Sequence, residues 1–186
     1  MRNSAKTVAF VGVMSALMFV VMFLESYVFT FLIPIAPPCV LSLSLAITLS
    51  VFGNWKGMFI GGTIMGVCSL VVAFIIGNPA FILPWISILP RVFIGIVAFA
   101  VSSLFINVTK NCKNKFVNSY LPYGLGAMFG VLTNTLLVLS MLYLNSFIGI
   151  SDVIATFVAI NFPLEIVGSM ILVPILVNVI KKYVNR

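Results

Sequence analysis

Three polar residues in otherwise apolar surroundings carry the chemistry of this sequence. Arg91 is the single full positive charge within ILPWISILPRVFIGIVAFA, residues 82–100. Glu165 sits in AINFPLEIVG, and Asn134 sits in GVLTNTLLVL between Thr133 and Thr135. A guanidinium donates two parallel hydrogen bonds to a carboxylate or phosphate. A carboxylate flanked by amides suits hydroxyls and an amide N–H. The set therefore describes recognition of a small, polar, anionic molecule. Asn161 stands four residues before Glu165 and so shares its helical face one turn away. Asn78 adds an amide from a loop, and Trp85 reads either as an aromatic wall over the pocket or as an anchor at the membrane interface.

A guanidinium at membrane depth costs several kcal/mol unless something pairs with it, and two arrangements meet that demand. In one, Arg91 and Glu165 pair with each other and Asn134 joins interhelical hydrogen bonds. In the other, they line a pocket that faces outward and receives a polar ligand. A ligand that replaces one partner of a resting pair satisfies both. Glu25, towards the outer end of the first apolar segment, reads as a solvated or interfacial acid.

Other chemistries find no support. There is no histidine, and Cys39, Cys68 and Cys112 lie far apart with no CxxC pair, which argues against a zinc site, a redox pair and every His-dependent catalytic arrangement. The few intramembrane acids stand on separate segments, so paired-carboxylate catalysis is also unsupported. A GxxxxGK[ST] phosphate loop is absent. The expectation is a non-catalytic chain that binds no metal or cofactor.

The elements that must position these residues are set by composition. Of 186 residues, 62% are hydrophobic and 7% charged, and the mean hydropathy is +1.28. Soluble domains carry roughly a quarter charged residues, so the chain reads as an all-α integral membrane protein with one domain spanning residues 1–186. A span needs about 20 apolar residues, and six segments are predicted: 7–32, 39–53, 58–77, 85–107, 121–146 and 153–180. The second is short, and IPIAPP before it makes an irregular start. The prolines Pro90 and Pro163 are expected to loosen the fourth and sixth segments near the polar residues. Arg2, Lys6, Lys56, Lys110, Lys113, Lys115, Lys181, Lys182 and Arg186 all fall on one side of that arrangement, whereas the opposite loops hold only Asp152. Lys and Arg concentrate in cytoplasmic loops, which places both termini inside. Scattered at helix ends, the same cations form no stripe for nucleic acid.

At about 1.5 Å per residue, Arg91, Asn134 and Glu165 rise about 21, 20 and 22 Å from the cytoplasmic ends of their segments and so share one level in the outer half of the membrane. Small residues supply a second pattern. Ala5, Ala9, Gly12 and Ala16 recur on the first segment, and Gly57, Gly61, Gly62 and Gly66 early in the third. Such spacings let helices approach closely, within the chain or against another membrane protein.

AKTVAFVGVMSALMFVV, LSLSLAITLSVFGNWKGMFIGG, NPAFILPWISILPRVFIGIVAFAV and GVLTNTLLVL together resemble the substrate-binding S component of an energy-coupling factor (ECF) vitamin transporter, an ABC-type importer. The resemblance covers nearly the whole chain and is most specific at ILPRVFIGIVA and LTNTLLVL. It implies a prokaryotic cell-membrane protein that captures a water-soluble vitamin or precursor from outside and delivers it by docking to an energising transmembrane subunit. Two ATPase subunits then supply the work, so ATP and Mg belong to the partners. The family's AxxxA docking motif is matched by Ala5 and Ala9, with Gly12 and Ala16 as a near variant. The sequence looks most like the pantothenate-type members. That resemblance makes Arg91 and Asn134 the carboxylate and amide contacts, with Glu165 and Asn161 for the hydroxyls. Hydroxymethylpyrimidine or folate as ligand, and a self-contained secondary transporter, stay as alternatives.

Overall fold

The computed structural model describes residues 4–29, 38–52, 55, 57–110, 114–147, 149, 151 and 162–184. Among them are helices and turns and no strand. The helices are α1 (Ser4–Phe29), α2 (Val40–Phe52), α3 (Gly57–Ile76), the short α4 (Pro84–Ser87), α5 (Leu89–Thr109), α6 (Lys115–Leu144) and α7 (Phe162–Val184).

Among the described residues five stretches are long and apolar enough to cross a membrane: Val8–Val28, Gly57–Ile76, Pro84–Thr109, Phe116–Leu144 and Phe162–Lys182. The chain is a multi-pass membrane protein. The expected second span is a different object. With 13 residues, α2 is about 20 Å long, short of the roughly 30 Å hydrocarbon core. It is buried on every face, from Ser42 continuously to Ser50. A short helix can stand inside a membrane protein because its neighbours, rather than lipid, surround its exposed ends. Two of its hydroxyls fold back on the helix, Ser44 donating to the Val40 carbonyl at 2.6 Å and Ser50 to the Ala46 carbonyl at 2.9 Å, and the Ser44 and Ser169 Oγ atoms lie 3.2 Å apart.

Two further expectations are corrected. The fifth predicted segment starts earlier, at Lys115, where the Asn114 side chain caps the helix by accepting from the Phe116 N–H at 3.0 Å. Pro90 and Pro163 do not loosen the interior of a helix. Pro90 is in the first turn of α5 and Pro163 in that of α7, where a missing N–H costs little. The prolines inside helices are Pro122 in α6 and Pro174 in α7. The start of the predicted sixth segment, residues 153–161, lies outside the described residues.

The long helices and α2 alternate in direction in chain order. The C-terminal part of α1 meets the start of α2, and that start also meets the first turn of α7. The N-terminal part of α6 meets the C-terminal part of α7 through the Asn178 side chain, which donates to the Ser119 carbonyl at 3.0 Å. The chain's two end helices therefore begin and finish at the same end of the bundle. Lys6, Lys110, Lys115, Lys181 and Lys182 all belong to that end.

The small residues of α3 serve packing within the chain. A Cβ at Gly62 would run into the Arg91 carbonyl, and one at Gly95 of α5 into the Met58 carbonyl. On α1 the reverse holds: Ala9, Gly12 and Ala16 are exposed, and a Cβ at Gly12 would meet nothing within 4 Å. Forcing a methyl group against a helix backbone costs about 1–3 kcal/mol. Gly62→Ala and Gly95→Ala should each lower the thermal unfolding midpoint in detergent by several degrees, while Gly12→Ala leaves it unchanged.

Candidate functional site

The site is built around the beginning of α2. A helix leaves its first N–H groups without intrahelical partners, and here those donors lie inside a membrane bundle. Two carboxylates take them. Glu25 of α1 accepts from the Leu41 N–H at 2.6 Å through Oε1, and through Oε2 from the Ser42 N–H at 3.1 Å and the Ser42 hydroxyl at 2.6 Å. Glu165 of α7 accepts from the Cys39 N–H at 3.0 Å. Both acids are 7% exposed. Negative charge at a helix N-terminus also meets the positive end of the helix dipole, so the placement is favourable twice over. Glu25 is therefore no solvated or interfacial acid; it is a buried cap that ties α1 to α2.

Arg91 is positioned by the proline before it. Pro90 has no N–H, so the carbonyl four residues back, that of Ile86, has no helical partner. The Arg91 side chain turns back and supplies one, Nη1 donating to the Ile86 oxygen at 2.6 Å. Its guanidinium lies over the Phe81 ring, 4.9 Å from the centroid. Phe81 is held in turn by the Ser87 hydroxyl, which donates to the Phe81 carbonyl. Arg91 is 6% exposed, and its buried Nε has no hydrogen-bond partner.

Arg91 faces a cavity of about 490 Å³, its open mouth included. Met22 and Ser26 of α1, Cys39, and Met65, Ser69, Val72, Ala73 and Ile76 of α3 form its walls with Asn78, Phe81 and Arg91. Asn78 follows Gly77, whose φ of 79° ends α3 in a conformation that glycine adopts readily. The Asn78 side chain accepts from the Ala80 N–H at 3.2 Å, which shapes the turn leading to Phe81. The result is a largely apolar recess with a few convergent polar groups and one cation, the usual make-up of a small-molecule site.

The expected site residues divide accordingly. Arg91 and Asn78 line the cavity. Glu165 lies one residue behind the wall, bonded to the backbone of Cys39. Among the described residues no ion pair joins Arg91 to Glu165, so the resting salt bridge is not the arrangement found. Asn134 is buried on α6 away from the lining, its Oδ1 without a hydrogen-bond partner. Thr133 donates to the Phe129 carbonyl of its own helix at 2.8 Å. Trp85 is 51% exposed on α4 and is not among the lining residues. Asn161 lies outside the described residues, as do Arg2 and Arg186. Ser26, Ser69, Cys39 and Phe81 carried no sequence signal of their own, since each looks like ordinary membrane-helix composition.

Comparison with known proteins adds one match. The chain is 28% identical over 208 aligned residues to the pantothenic acid transporter PanT of Lactococcus lactis subsp. cremoris (strain MG1363), an alignment covering 100% of this chain and 98% of that protein. The likeness thus concerns the whole architecture and not one segment. No family model matches the chain. No solved structure matches it either.

Removing the Glu25 carboxylate strands two buried N–H groups and a hydroxyl. Glu25→Ala should therefore destabilise the ligand-free protein by about 2–4 kcal/mol, and Glu25→Gln, which keeps one acceptor oxygen, by less. Thermal unfolding in detergent without ligand reads both.

Proposed function

We propose that this chain is the substrate-capture S component of an ECF-type vitamin importer and that it binds pantothenate in the Arg91 cavity. The observation that carries the reading is the guanidinium itself. It is nine-tenths buried in the wall of a recess, with one edge tied to the Ile86 carbonyl and Nε unpaired. A buried charged donor without an acceptor is costly, and a ligand carboxylate removes that cost. Pantothenate carries one carboxylate, an amide and two hydroxyls, for which Ser26, Ser69 and Asn78 supply polar partners. Hydroxymethylpyrimidine has no acid group to offer Arg91. The full-length likeness to a pantothenic acid transporter supports the same choice.

In this reading the basic ends of α1, α5, α6 and α7 face the cytoplasm, and the cavity faces outward. The energising membrane subunit docks on the exposed small-residue face of α1, at Ala9, Gly12 and Ala16, with Ala5 in the preceding turn. Two ATPase subunits complete the importer and hydrolyse ATP.

Pantothenate should raise the thermal unfolding midpoint of the purified protein. A nanomolar binder at micromolar concentration contributes about 4 kcal/mol to the folded state. Arg91→Ala should abolish that shift yet remain folded, since it removes one side-chain hydrogen bond and a ring contact. A folded Arg91→Ala protein that still responds to pantothenate would overturn the assignment.

A further inference from the structure

The charges within reach of the cavity are unusually unequal. By sequence, residues 7–55, 57–109 and 116–180 contain a single Lys or Arg, Arg91, which is also the one cation among the described residues lining the cavity; the chain has no histidine at all. All three of its acids, Glu25, Asp152 and Glu165, fall within those same segments. Two of them stand just behind the cavity wall, bonded to Cys39, Leu41 and Ser42 at the start of α2. Glu25 takes hydrogen bonds on both oxygens. The α2 N-terminus, which would otherwise attract a second anion, is already occupied by these carboxylates.

We infer that the site is selective for a single negative charge: it takes a monocarboxylate and rejects phosphorylated and dicarboxylate relatives of the same ligand. This deepens the pantothenate reading and rests on it. One ligand carboxylate finds Arg91. A second anionic group finds no countercharge, because Arg91 is the one cation among the described lining residues, and it must be desolvated in a medium of low dielectric. The polar side chains of the lining, Ser26, Ser69 and Asn78, hydrogen-bond a hydroxyl well but do not neutralise a phosphate dianion. An importer built this way admits the free vitamin and refuses its phosphorylated form, and folate, with two carboxylates, is refused on the same ground.

The test uses the intact wild-type chain in detergent, with binding followed calorimetrically at neutral pH. Pantothenate is compared with 4′-phosphopantothenate and with a 4′-acetyl ester of similar bulk whose added group is uncharged; biotin, nicotinate and folate complete the panel. The phosphorylated compound should bind at least about a hundredfold more weakly than pantothenate, with the acetyl ester within about tenfold of it. Phosphopantothenate binding as tightly as pantothenate would overturn the inference while leaving the pantothenate reading intact. Equal loss with phosphate and acetyl groups would also overturn it, since bulk rather than charge would then decide. A monocarboxylate other than pantothenate as best binder, with folate excluded, supports the charge rule and overturns the choice of vitamin. Silence from the whole panel overturns both.

Discussion

The structure depends on satisfying the start of one short helix in the middle of a membrane protein. The first N–H groups of α2 have neither water nor lipid headgroups as default partners, and an unsatisfied backbone group in such surroundings costs several kcal/mol. Glu25 and Glu165 meet the demand from opposite sides, and in doing so they join α1 and α7 to the central helix. Neither acid could be tolerated there without the helix end, and the helix end could not be buried without the acids. The cavity lies beside this junction, with Cys39 in its wall.

Arg91 follows a comparable logic on a smaller scale. Pro90 starts α5 cleanly but leaves the Ile86 carbonyl without a helical donor, and the neighbouring guanidinium fills the gap. That bond, with the Phe81 ring beneath, fixes the orientation of an otherwise long and mobile side chain. The site is thus organised before any ligand arrives, which limits the ordering cost that binding must overcome.

Much of this was legible in the sequence, and what was not has identifiable physical causes. Long apolar segments and the one-sided distribution of Lys and Arg show the multi-span architecture because lipid imposes both. Arg91 declared itself because a lone charge in an apolar run is costly. The pairing of charges was not readable. Glu25 stands 16 residues from Leu41 and Glu165 stands 126 from Cys39, and both make backbone bonds, to which side-chain identity is blind. Asn134 was placed by counting levels along helices, and a shared level does not mean a shared face; it is not among the residues lining the Arg91 cavity. Pro90 read as a helix breaker because sequence alone does not tell a first turn from an interior one.

The length of α2 has a geometric consequence. Beneath the α2 N-terminus stands a plug one short helix deep, about 20 Å. It is pressed on α3 at Gly61, and beside it the backbones of α3 and α5 meet at Gly62 and Gly95, with no room for even a methyl group. No rearrangement of a few side chains opens a path through packing of that kind.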